Sequence, residues 1–184
     1  MAEAFRPNRG GFLRPFGLGV FIRGYLMGRG AYGSPRIDPS EGACQTDIRE
    51  HYKAALFKSH AEDAVSREVE RRIRLGLPPM TSEEEDRLML QVLEEIPYKF
   101  TSIRSHSFVR YFHLLIQLGW VELTGKEEIS AFQEGYTQAK PRRYFRLTER
   151  GRTASDFEWS NPLRAKYGHS LRRLEKKTTV QTKS

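Results

Sequence analysis

The chain has little with which to build several kinds of site. A single cysteine, Cys44, leaves no intrachain disulfide and no cysteine-rich zinc site. No apolar run approaches the roughly 20 residues of a membrane span, and glycines break up every candidate signal-peptide core near the N-terminus. Glycines without a following Gly-Lys-Ser/Thr do not make a phosphate loop. Five histidines are too scattered to chelate: His51 and His60 are nine apart, and His106 and His113 would stand two turns apart on a helix, about 10 Å. Cys44 has no histidine or basic cluster beside it in sequence to activate it as a nucleophile. The expectation is a cytoplasmic protein that is not an enzyme, with no catalytic residue, no metal and no cofactor.

What is present is positive charge. In 184 residues, 31 Lys and Arg against 23 Asp and Glu give a formal net charge of +8. That balance points to polyanionic partners, nucleic acid before an anionic membrane surface. The plainer reading is a globular protein with basic tails.

The chain is organised around 105–152. Over Ser105–Gln117, Phe108, Val109, Phe112, Leu115 and Ile116 share one broad side of a helix, flanked by Tyr111, Leu114 and Leu118. His106, Arg110, His113 and Gln117, spaced four, three and four apart, are left as a narrow polar stripe. Ser105 is placed to cap the start, and Gly119 to take the left-handed position after the end. Trp120-Val-Glu-Leu-Thr124 and Arg143-Tyr-Phe-Arg-Leu-Thr148 alternate as strands. Between them runs a polar loop, Gly125 to Arg142, acidic first and basic last, ending in Lys140-Pro-Arg-Arg143.

The other segments divide by composition. Residues 1–43 are rich in Gly, Arg and aromatics, which reads either as a flexible arm for phosphates and bases or as a clip. In the second reading Phe21-Ile22 and Tyr25-Leu26-Met27 grip the folded domain or a neighbour. Residues 44–80 hold an added helix: Thr46 is a plausible cap, Ile48, Tyr52, Ala55 and Leu56 its apolar face, Ser59-His60 a candidate break, and Gly76 its end. Thr81 with Glu84 forms a capping box, opening a helix with the stripe Leu88, Val92, Leu93 and Ile96. Thr148 is placed to cap a final helix into Trp159, with Phe157 and Trp159 as core or dimer residues. After Asn161-Pro162, residues 160–184 offer a short helix with Leu163, Tyr167, Leu171 and Leu174 in line, cations on its other side, and a basic tail.

The order helix, Gly, strand, basic loop, strand and the phrase Tyr144-Phe-Arg-Leu-Thr-Glu-Arg-Gly-Arg152 resemble the winged helix-turn-helix of PadR- and MarR-type regulators, over roughly 81–159. The resemblance implies a mainly α fold with a small β wing: a winged helix-turn-helix core carrying an added N-terminal helix and a Gly/Arg-rich arm. It implies sequence-specific binding of double-stranded DNA, transcriptional regulation as the use, and a homodimer through the added helices. His106, Arg110, His113 and Gln117 would face the major groove, Lys140, Arg142, Arg143 and Arg146 would hold the backbone through the wing, and Arg104 and Lys99 would add phosphate contacts. Protonated histidines would strengthen such contacts below neutral pH. One departure stands out: only Tyr98–Arg104 is left for a second helix and turn. That shortage supports the alternative, a winged-helix subunit of a larger protein or RNA-holding assembly, anchored by its N-terminal arm.

Overall fold

The computed structural model of the chain describes residues 17–96, 104–129 and 141–168. Over these the protein is mainly helical with one small antiparallel sheet. The elements run α1 (Leu18–Leu26), β1 (Ala43–Cys44), α2 (Gln45–Leu75), α3 (Ser82–Glu95), α4 (Ser105–Gln117), β2 (Val121–Glu128), β3 (Arg142–Leu147), α5 (Glu149–Thr153) and α6 (Asp156–Ser160). A further helix, α7, follows over 162–168. The sheet order is β1-β3-β2, with Ala43 opposite Phe145 and Val121 opposite Leu147.

The core is built from both ends of the chain. Phe21, Ile22, Tyr25 and Leu26 recur at helical spacing on α1 and are buried against Ile48, Tyr52 and Leu56 of α2. The Phe21 and Tyr52 rings lie 5.1 Å apart. Thus 17–43 is not a free arm: α1 and β1 belong to the fold, as the clip reading required, while 1–16 lie outside the described residues. Burying such side chains returns about 1.5–3 kcal/mol each, enough to offset the ordering of a glycine-containing helix.

The second helix runs unbroken through Ser59-His60. Its N-cap is Cys44 rather than Thr46, the thiol accepting from the Asp47 N–H at 3.5 Å. Only its first half is buried, through Ala61. The second half packs against α3, which opens with the expected Thr81–Glu84 capping box. α3 buries no residue completely, so it is not the core helix expected to begin a winged unit. Leu88, Val92, Leu93 and Ile96 are half-buried, because α2 is the main element against which they pack. Arg72 clasps the hairpin, reaching Glu84 at 3.1 Å and Glu68 at 3.3 Å.

Phe108, Phe112, Leu114 and Leu115 of α4 face the core. Val109 does not: it is 47 % exposed, so the solvent face of α4 is wider than the polar stripe alone. The helix starts after Arg104 with no side-chain cap, and Ser105 is its first residue rather than its cap. Gly119 takes the left-handed conformation expected of it, φ 67°, and turns the chain into β2.

β2 continues past Gly125 to Glu128, with a register shift between Leu123 and Glu127. The wing loop is therefore shorter than sequence spacing suggested, and 130–140 lie outside the described residues. Thr148 caps α5 by accepting from the Gly151 N–H at 3.0 Å. A Cβ on Gly151 would stand 2.1 Å from the Trp120 carbonyl oxygen, which is why the Thr-Glu-Arg-Gly phrase ends in glycine. The expected single helix into Trp159 is two short ones, because Ala154 leaves helical geometry and Ser155 with Glu158 starts a new capping box. Trp159 is fully buried, donating to the Gly151 carbonyl at 3.0 Å and lying 4.8 Å from the Trp120 ring. Phe157 is 63 % exposed and outside the core.

Candidate nucleic-acid interface

His106, Arg110, His113 and Gln117 are all exposed, on the side of α4 away from Phe108, Phe112 and Leu115. The packing of those apolar residues fixes the direction in which the stripe points. Arg104, just before the helix, is exposed at the His106 end. Neither Arg104 nor Arg110 pairs with a carboxylate among the described residues. Lys99 and Lys140 lie outside the described residues.

The C-terminal half of the stripe has a neighbour that the sequence did not reveal. α7 docks beside it through the partly buried Ala165, and the Lys166 ammonium donates to the Gln117 side-chain oxygen. Between the two helices lies an open groove of about 500 Å³, bordered by Arg110, His113, Gln117, Leu163, Lys166 and Tyr167. Its inner wall includes Tyr111 and Leu114. Burial holds the Tyr111 hydroxyl well above the usual phenol range, so the wall is neutral. Among the described residues no carboxylate borders the groove.

The wing arginines are arranged differently. Arg142 turns inward, donating to the Cys44 sulfur at 2.9 Å and pairing with Asp47. Arg143 pairs with Glu127 and Arg146 with Glu122, each at 2.9 Å across the β2–β3 ladder. Lys126 lies 3.3 Å from Glu41 and 3.5 Å from Glu128. Tyr144 donates to Glu128 at 2.6 Å. That bond, then burial, pushes the Tyr144 hydroxyl up to about 12, and the same bond lowers Glu128. Exposed pairs of this kind are worth at most about 1 kcal/mol. A phosphate can take the arginine, but the carboxylate left behind then repels it. The wing positions predicted from sequence are thus cationic in composition and nearly neutral in effect.

Sequence reasoning found the α4 stripe because a helix buries its apolar side. It missed Lys166 and Tyr167 as neighbours of one site, since their position depends on how α7 docks. The only signal was the line Leu163, Tyr167 with cations opposite. Both residues prove exposed at the edge of the groove rather than buried as a stripe. No group of three His, Cys, Asp or Glu is disposed to hold a metal among the described residues, and none of their helices is long and apolar enough to cross a membrane. Comparison with protein-family models, with curated proteins and with solved structures returned no significant match.

Proposed function

We propose that this chain is a non-enzymatic double-stranded DNA-binding protein of the winged-helix kind, acting in the cytoplasm as a transcriptional regulator. The observation that carries the reading is the exposed start of α4, Arg104, His106 and Arg110, where neither arginine pairs with a carboxylate among the described residues and a buried aromatic face fixes the helix. The packing of α1, α2 and α4 with a three-stranded sheet, and the β2–β3 hairpin at its edge, supports it.

The geometry supports a narrower set of roles than the sequence suggested. A helix with its side chains is about 10–12 Å across and the major groove about 12 Å wide, so two helices abreast do not enter it. Recognition helices commonly present their N-terminal residues to base edges. In this reading Arg104 and His106 do so, with Arg110 at the border of the α4–α7 groove, while His113 and Gln117 stay beside α7. Arg143 and Arg146 contribute only after giving up Glu127 and Glu122, and Arg142 remains with Asp47.

A second reading is favoured by the α2–α3 hairpin. Ile73 is 75 % and Leu90 64 % exposed there, with Leu75 and Leu77 also in solvent. Such a surface suits a homodimer or a larger protein or RNA-holding assembly.

The test is fluorescence anisotropy with mixed-sequence duplex at about 50 and 200 mM salt. Arg104→Ala/Arg110→Ala is expected to weaken binding and to lower the salt slope by about 2. No duplex binding at the lower salt, or a slope unchanged in the variant, would remove the reading and leave the assembly.

A further inference from the structure

We infer that the groove between α4 and α7 is a binding site for single-stranded nucleic acid, with Tyr167 as a base-stacking platform and Arg110, His113 and Lys166 along the phosphate path. The inference shares Arg110 with the duplex reading but does not depend on it.

Three observations carry it. First, Arg110 and Lys166 border the groove beside His113 with no acidic side chain in its wall among the described residues, whereas Arg142, Arg143, Arg146 and Lys126 on the β2–β3 hairpin each face a carboxylate. Positive groups gathered without counter-charge repel one another, and an anion relieves that repulsion.

Second, exposed aromatic rings stand with the cations. Lys166 lies 5.2 Å from the centre of the Tyr167 ring, and both border the groove; Arg164 lies 5.2 Å from the centre of the Phe157 ring, outside the groove's lining. Tyr167 is 47 % exposed and Phe157 63 %. Rings open to solvent beside ammonium and guanidinium groups are what sequence-tolerant binding of unpaired bases uses: π-faces for bases and cations for phosphates.

Third, the groove's shape selects against duplex. α7 flanks the part of α4 that carries His113 and Gln117, so a rigid double helix cannot bring its major groove over them, whereas a flexible strand can lie between the helices. Lys166 is held by the neutral Gln117 oxygen, a bond that a phosphate oxygen replaces without stranding a charge.

The test uses the full chain and fluorescein-labelled oligothymidylate and oligouridylate of about 12 nucleotides, within the usual range of single-strand site sizes. Anisotropy is read at about 50 mM salt. The variants are Tyr167→Ala, Tyr167→Phe and Lys166→Ala, each checked by thermal melting. Tyr167 and Lys166 are exposed, so the melts are expected to match the intact chain. Tyr167→Ala is expected to weaken single-strand binding about five- to 150-fold, the range of base–aromatic stacking. Tyr167→Phe is expected to keep it, and Lys166→Ala to lower the salt slope by about 0.7. Duplex binding is expected to be unchanged in all three. Preference for oligouridylate or oligothymidylate identifies RNA or DNA as the source of the strand, and either supports the site. No single-strand binding by the intact chain, or affinity unchanged in Tyr167→Ala, overturns it. Single-strand binding without duplex binding supports the groove while removing the duplex reading.

Discussion

Replacing Trp159 by alanine is expected to cost about 4 kcal/mol, because this residue ties the C-terminal segment to the core. Its ring is fully buried, lies 4.8 Å from Trp120, and donates its indole N–H to the Gly151 carbonyl at 3.0 Å. Emptying a site of that size costs about 3–5 kcal/mol in transfer and cavity energy. Trp159→Phe keeps most of the packing and loses the hydrogen bond, so about 1–2 kcal/mol is expected. Against a typical total of about 5–15 kcal/mol, the alanine variant sits close to the folding threshold and the phenylalanine variant stays folded. Urea unfolding followed by far-ultraviolet circular dichroism measures both, and avoids a signal from the altered tryptophan. A loss below about 1 kcal/mol in Trp159→Ala would refute the packing argument. The docking of α7, three residues further on, would then lose its anchor, and with it the groove.

Gly151→Ala is expected to destabilise by about 1–3 kcal/mol or more in the same assay, because the new Cβ would stand 2.1 Å from the Trp120 carbonyl oxygen. Acid is expected to loosen the α2–α3 hairpin. Hydrogen bonds from Arg71 and then Arg72 hold Glu68 down at about 2, and the Thr81 N–H and Arg72 lower Glu84. Folded values below the unfolded ones give stabilisation that is present above about pH 4.3 and lost as pH falls towards 2. Helicity by circular dichroism should therefore drop between about pH 4.3 and pH 2 in the intact chain, and by less in Glu68→Gln. Arg143→Ala/Arg146→Ala is expected to cost less than about 2 kcal/mol of stability, since both ion pairs are exposed. Its duplex salt slope should match that of the intact chain, and a slope shallower by about 2 would restore the wing as a direct phosphate contact.

Local pattern was legible and relative placement was not. The capping box at Thr81, the left-handed Gly119, the Thr148 cap and the buried side of α4 each depend on residues within a turn of one another. Sequence spacing therefore located them. Val109 shows the limit: the wheel grouped it with Phe108, but whether that flank is covered depends on what packs there. α3 shows the same limit on a larger scale. Its stripe was recognisable, yet a stripe does not say whether it meets a core or a single neighbouring helix. The Gly/Arg/aromatic composition of 1–43 left arm and clip equally open, although the apolar residues that fold α1 into the core, Phe21, Ile22, Tyr25 and Leu26 with Leu18, were in view. At the candidate site, cation positions could be read from sequence, but their partners could not. Asp47 is 95 residues from Arg142, and Lys166 is 49 from Gln117.

The most direct test of the account is a site-resolved NMR titration of the intact chain with mixed-sequence duplex at low salt. Shifts are expected to concentrate at 104–110, with little at Arg143, Arg146 and the α2–α3 hairpin. Shifts confined to the hairpin, or centred on the wing with α4 untouched, would contradict the claim that the start of α4 is the DNA-contacting surface.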